Sequence, residues 1–277
     1  MSSWLNQLAE RCYPADNLAG MVTGQRGFVV LDQRHSPEQG RPLLSLPGKR
    51  DFATLFAGTS LSPLLEASPW LLDVEVGSEA WHYAEKLCQQ RLGWVCQPPA
   101  DQTLQSIADH LRALFVMDDP HGGKSLINLQ QPAAWTALLA SAPASVYSHW
   151  LNPLGQVATP TPQGQWSIWQ ADAPASPAPE RWPLTADMEA ALNESQQAWW
   201  LSEHTEEKLS TLPDQWVKRI SKCAQYGITK GRHLARLLPA IQQADEDSWQ
   251  RIEDTLSVPR LSAKQRMTEV EKMYDNR

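Results

Sequence analysis

At 277 residues, 42% hydrophobic and 20% charged, the chain can close two modest cores without staples or metals, which excludes the disulfide mini-proteins and the wholly disordered class. Its net charge of -7, with no basic excess in either half, argues against a nucleic-acid binder, which needs cations to displace counterions from phosphate. No basic-then-apolar leader opens the sequence and no apolar run approaches the ~20 residues of a spanning helix, so a cytoplasmic chain without a membrane segment is expected.

Up to about Trp169, short β-rich runs alternate with helical patterns, which argues for an α/β lobe built on a mixed sheet with flanking helices. Phe28 to Leu31 reads as the first strand and Phe52 to Phe56 as a second. Ser60 to Glu66 suggests a short helix before Pro69 resets the chain into the strand Trp70 to Val76. There Leu72, Val74 and Val76 alternate with Leu71, Asp73 and Glu75, predicting one buried face and one that turns two carboxylates toward solvent or a partner. Gly77-Ser78 starts a helix with Trp81, Ala84, Leu87 and Cys88 on its inner face, Trp94 to Cys96 is a brief strand, and Leu104 to Leu114 is the next helix. The run Asp118-Asp119-Pro120-His121-Gly122-Gly123 is a turn, Ser125 to Leu129 a strand beyond it, and Pro132 the first turn of another helix. Residues 153–183 are rich in proline and read as a connector with one strand, Trp166 to Trp169. The closing third is a smaller all-α lobe. Its helices are Ala186 to Leu209 behind a Thr185 cap, Asp214 to Tyr226 ending at Gly227, Lys230 to Leu238, Ser248 to Leu256, and Ala263 to Tyr274 behind a Ser262/Gln265 capping box, with Pro213, Pro239 and Pro259 as breaks. The organisation expected is therefore 1–152, a connector 153–183, and 184–277.

The search for chemistry returns little. Gly123-Lys124-Ser125 ends like a phosphate loop, but the glycine that should open the motif is Asp118, and two carboxylates would repel the anion. Seven histidines make no H-x-x-x-H or H-E-x-x-H spacing, and Cys12, Cys88, Cys96 and Cys223 form no C-x-x-C pair, so reduced thiols and no metal or cofactor are expected. Asp73 and Glu75 share a strand face and can be imagined as an acid/base pair, although solvated carboxylates are the commoner meaning of that spacing. A site assembled from distant loops stays open, with His110, His121 and Asp119 nearest to it. Tryptophan is the unusual count, 13 against 4 Phe and 5 Tyr. Trp70, Trp81 and Trp135 sit in apolar patterns and read as core. Trp199 and Trp200 are adjacent, about 100° apart on a helix, which makes them contact candidates.

One resemblance rests on order and spacing. Phe28-Val29-Val30-Leu31-Asp32, Leu55-Phe56-Ala57-Gly58-Thr59, Ser68-Pro69-Trp70-Leu71-Leu72 and His110-Leu111-Arg112 follow one another, then the Asp119 to Gly123 turn with Gly122, then Pro132. A fainter echo lies at Ala224-Gln225-Tyr226-Gly227-Ile228. Across roughly residues 27 to 153 this resembles the bacterial type VI secretion adaptor family catalogued as domain of unknown function 4123. Relatives often carry an Arg and an Asp just before the proline matching Pro132, whereas this chain reads Asn128-Leu129-Gln130-Gln131. The resemblance implies a cytoplasmic, non-enzymatic adaptor or chaperone with two protein partners. It would bind a specific secreted toxin effector and promote its loading onto the valine-glycine-repeat spike protein, with no nucleic acid, membrane, small-molecule substrate or cofactor. On that view the first lobe grips the effector at a sheet edge or groove near Asp73 and Glu75, and the helical lobe offers Trp199, Trp200 and Tyr226. The alternatives are a hydrolase or transferase with a loop-assembled site, and a structural scaffold component.

Overall fold

The computed structural model describes residues 4–34, 37–171 and 182–275. The chain divides into two compact units, Met1–Gln196 and Gln197–Arg277. In the first, α1 (Trp4–Arg11), β1 (Cys12–Ala15), β2 (Arg26–Leu31), α2 (Pro37–Gly40) and a 3-10 turn (Arg41–Leu44) lead to β3 (Lys49–Thr54). A second 3-10 segment (Ser62–Ala67) is followed by β4 (Trp70–Glu75), α3 (Glu79–Gln89), β5 (Gly93–Gln97), α4 (Leu104–Leu114), β6 (Val116–Asp118) and β7 (Lys124–Leu126). Then come α5 (Pro132–Ser141), α6 (Ala144–Leu151), β8 (Gln156–Pro160), β9 (Trp166–Trp169) and α7 (Ala186–His204), within which the two units divide.

Seven strands form one sheet in the order β1-β9-β8-β5-β2-β4-β3, while β6 and β7 make a separate ribbon. Every pairing in the sheet is antiparallel, not mixed. The crossover through α3 explains why alternation misleads: it joins β4 to β5, which run the same way but are held apart by the antiparallel β2 between them. Register places Phe52, Leu72, Val29, Val95, Ala158, Ile168 and Tyr13 in one row across the sheet. The inner members of that row pack against Trp81, Ala84, Leu87 and Cys88 of α3, as the helical spacing predicts. On the opposite side indoles dominate. Trp94 stacks on Trp135 at 5.5 Å, Trp135 meets Trp150 at 5.7 Å, and Trp150 meets Trp182 edge-on at 6.2 Å. Each such pair adds ~0.5–1.5 kcal/mol beyond the area it buries.

Three features depart from expectation. Residues 156–160 and 166–169, inside the proline-rich stretch, are strands of the sheet, because Val157 and Ala158 pair with β5 while β9 pairs with both β1 and β8. The first unit therefore runs on past 152, and the part of the connector at 172–181 lies outside the described residues. Second, β4 is buried on both faces: α3 and α4 both pack on it, and Asp73 is only 3% exposed. Third, Trp70 is half-buried rather than core.

In the second unit, a 3-10 turn (Leu209–Thr211) precedes α8 (Asp214–Gln225), α9 (Gly231–Gln243), α10 (Glu246–Ser257) and α11 (Ala263–Asp275). Pro239 lies inside α9 instead of ending it, because the buried stripe Leu234, Leu237, Ala240 and Ile241 spans the proline and outweighs one lost backbone bond. Arg219 is buried among these helices. Its Nη1 donates to the Ile241 carbonyl at 2.9 Å, satisfying an orphan acceptor at the end of α9, and its guanidinium lies 5.0 Å from the Trp249 ring centre. The Ser262/Gln265 box is formed, and Gly227 (φ 81) ends α8 as the left-handed residue of a Schellman motif, with Ile228 N–H bonded to the Cys223 carbonyl at 2.9 Å.

Candidate docking surface

The most developed exposed apolar feature is the hairpin formed by β3, the excursion 55–69 and β4. Its base is tightly built. Arg112, projecting from α4, donates from Nε to the Leu55 carbonyl at 3.2 Å and from Nη2 to the Thr54 carbonyl at 3.3 Å, while Nη1 pairs with Asp109 at 2.8 Å. Leu55 N–H donates to the Pro69 carbonyl at 3.0 Å and Phe56 N–H to Ser68 Oγ at 2.9 Å, so the two ends of the excursion are bolted together. Phe56 is buried edge-on against Phe115, 5.1 Å between ring centres. Gly58 takes φ 72, a left-handed turn that a side chain would strain. Five motif positions, Phe56, Gly58, Pro69, Trp70 and Arg112, thus converge on one small structure.

What this base holds out is apolar. The 3-10 segment Ser62–Ala67 buries none of its side chains, and Leu64 and Leu65 are 46% and 48% exposed. Phe52, 39% exposed on β3, packs against Trp70 at 5.9 Å and carries the Lys49 ammonium 5.4 Å from its ring centre. Because β3 is the last strand of the sheet, its outer side takes no neighbouring strand among the described residues; a register shift between Lys49 and Asp51 kinks its first half. Exposed aromatic and leucine side chains on a fixed base at a sheet border make this a candidate contact patch.

The remaining motif positions are structural. Leu31 is fully buried at the end of β2. Asp32, buried beside it, accepts from Arg34 Nε at 3.0 Å and Nη2 at 2.7 Å, and Arg34 Nη1 donates to Asn128 Oδ1 at 3.1 Å. A neutral amide, Asn128, thus receives the arginine in the segment leading to Pro132. Leu111 is core, Pro132 opens α5, and Asp119 Oδ1 accepts the N–H groups of His121 (2.8 Å) and Gly123 (3.0 Å) to close a turn in which Gly122 has φ 87.

The residues expected to meet a partner fall in both units. Asp73 and Glu75 lie in the first unit; Trp199, Trp200 and Tyr226 lie in the second. Asp73 is enclosed, with Arg26 Nε 3.1 Å from its Oδ2 and Asp51 opposite it in register. Burial pushes its carboxyl above the usual range, while Arg26 and Arg50 pull it back. Glu75 reaches the surface and pairs with Arg50 at 3.3 Å. Trp199 is buried, whereas Trp200 is half-exposed and stacks on His204 at 4.2 Å. Tyr226 is held in place: its carbonyl accepts from Arg266 Nη1 at 2.8 Å and its hydroxyl donates to Glu253 at 3.4 Å.

The groups considered for chemistry have structural attachments. His110 Nε2 bonds to the Trp150 carbonyl at 3.0 Å, and burial lowers its pKa. His121 pairs with Glu189 at 3.2 Å on the surface. The four cysteines are free thiols; burial pushes Cys12 up to about 11 and Cys223 to about 12, and raises Cys88 and Cys96 further. Among the described residues no group of three or more His, Cys, Asp or Glu is placed to hold a metal ion, and no helix is long and apolar enough to cross a membrane.

Periodicity does not single out Leu64 and Leu65, since they fall in a stretch that reads as a short helix. The signal available was their setting, two leucines between Ser62-Pro63 and Glu66 in a segment too short to bury a face.

Residues 27–149 match the family model described as Domain of unknown function (DUF4123), a stretch that contains the whole hairpin and Arg112 and stops within α6. No curated protein and no solved structure matches the chain.

Proposed function

We propose that this chain is a non-enzymatic adaptor of the bacterial type VI secretion machinery, which holds a toxin effector in the cytoplasm and promotes its loading onto the valine-glycine-repeat spike protein. The single observation that carries this reading is the exposed apolar surface of the border hairpin, Leu64 and Leu65 on an excursion fastened at its base by Arg112 and Phe52 on the adjoining strand, inside the matched residues 27–149. The effector is the partner assigned to this surface. Fully burying a leucine or phenylalanine side chain is worth ~1.5–3 kcal/mol, and with roughly half of each side chain still exposed here about 1 kcal/mol apiece remains to be gained, roughly fivefold in affinity.

Co-expression with the toxin encoded beside this gene, followed by size-exclusion chromatography, tests the reading. One co-eluting peak is expected. The double variant Leu64→Asp/Leu65→Asp should split that peak while leaving far-ultraviolet circular dichroism unchanged, because both side chains already face water. Separate elution of the adaptor from every neighbouring toxin would overturn the proposal.

A further inference from the structure

We propose a second docking site: the outer border of β7 takes, by strand addition, an extended and basic segment of another protein chain. The hydrogen-bond phase of the β6–β7 ribbon is fixed by Ile127 N–H to the Phe115 carbonyl (2.8 Å) and Asp119 N–H to the Gly123 carbonyl (3.1 Å). In an antiparallel pair alternate residues turn their peptide groups inward, so Gly123, Ser125 and Ile127 face β6 while Lys124 and Leu126 face away. The far side of β6 is already occupied, since Asp118 N–H donates to the Trp182 carbonyl (3.1 Å) and Leu184 N–H to the Asp118 carbonyl (2.8 Å). Among the described residues nothing bonds the outward N–H and C=O groups of Lys124 and Leu126, and the Leu126 side chain is 46% exposed. Such a border is a template for another strand.

Two observations define what it accepts. Residues 125–128 form one wall of a cavity of about 260 Å³ whose other wall is α7, through Glu189, Leu192 and Gln196 at three- and four-residue spacing. That volume is below the ~300–1,000 Å³ of drug-sized ligand sites and suits side chains delivered by a peptide. Gln196 and Gln131, bonded to each other at 3.2 Å, add amides, and Leu192 adds an apolar contact. Charge then sets the sign. The segments 116–128 and 182–196 carry Asp118, Asp119, Asp187, Glu189 and Glu194 against Lys124 as their one lysine or arginine, so a basic strand is attracted and an acidic one repelled. Main-chain bonds supply the affinity, and the acidic surround and cavity supply selectivity.

The test uses the full chain labelled with nitrogen-15 and an acetylated hexapeptide of alternating lysine and valine. Saturable shifts are expected at the amides of Lys124, Leu126 and the 189–196 face. The matching glutamate-valine peptide should bind at least tenfold more weakly, and Glu189→Lys should weaken the lysine peptide about fivefold. N-methylation of the peptide on one alternate set of nitrogens should abolish binding, and methylation of the other set should leave it intact. Absence of shifts at millimolar peptide, shifts elsewhere, equal binding of both charge types, or indifference to both methylation patterns would each overturn the proposal. A dimer interface here would instead appear as shifts that follow the concentration of the protein and not of the peptide, and would also overturn it. None of these outcomes bears on the border hairpin at β3.

Discussion

Arg112→Ala removes the donors that hold Leu55 and Thr54 to α4. The Arg112 side chain is 19% exposed, and its two bonds to carbonyls are long, at 3.2 and 3.3 Å. A charged donor to a carbonyl contributes ~1.5–3 kcal/mol, so the lower end applies, about 3 kcal/mol for the pair. The exposed partner Asp109 adds at most ~0.5 kcal/mol. The loss should appear as local opening, since the excursion 55–69 is buried only at its two ends, through Leu55, Phe56, Ser68 and Pro69. Amide hydrogen exchange resolves it: the Leu55 and Phe56 amides should exchange roughly a hundredfold faster in Arg112→Ala. Arg112→Lys, which can reach one carbonyl, should fall between. Effector binding should drop in parallel, because Leu64 and Leu65 lose their fixed mounting. Unchanged protection at Leu55 and Phe56 would refute the idea that Arg112 fastens the hairpin.

Asp73→Asn should cost less than ~1 kcal/mol at pH 7, since Arg26, left without its carboxylate, is 36% exposed and stays hydrated while the buried charge of Asp73 is removed. The carboxyl is raised above its usual 3.8, so its contribution is full below that pH and is lost as pH rises through the folded value. Urea midpoints at pH 4 and 7 should therefore differ less in the variant, and a loss above ~3 kcal/mol at pH 7 would refute this by showing that Arg26 is left as an uncompensated buried charge. His110 has the opposite sign: its lowered pKa makes its contribution full above 6.5 and lost as pH falls toward the folded value. His110→Gln should flatten the decline in stability between pH 7 and 5, and an unchanged slope would assign that decline elsewhere. Gly227→Ala should cost ~1–2 kcal/mol from left-handed backbone strain alone, because nothing lies within 4 Å of the added carbon. Gly93→Ala should be far worse, as its added carbon would sit 1.9 Å from the Val30 carbonyl oxygen; comparable melting temperatures for the two variants would contradict this.

Helices with local punctuation were the legible part of the fold. Ser78 accepts the Trp81 N–H at 3.2 Å, Met188 N–H reaches Thr185 Oγ1 at 3.3 Å, and Ser262 pairs with Gln265, all signals written within four residues. Strand order is not local, and the errors cluster there. Alternation along Leu71, Asp73 and Glu75 reads as a solvated face only if β4 is uncovered, yet β3 pairs beyond it and α4 lies on it. Residues 156–160 look like linker because prolines surround them, and only pairing to β5 on one side and β9 on the other makes them a strand. The exposed excursion is hidden for a related reason: Leu64 and Leu65 have ordinary neighbours in sequence, and their setting comes from a base assembled by Arg112 from α4 and Ser68 at the far end of the excursion.

The two margins of the large sheet are finished differently. β1 is a four-residue strand interrupted by Pro14, which cannot donate to a ladder, whereas β3 keeps Phe52, Ala53 and Thr54 beyond its kink. Filament growth by head-to-tail stacking requires both margins to accept a neighbour. With one margin interrupted by Pro14, the large sheet offers repeated strand addition one border rather than two, which bars it from propagating as a fibre.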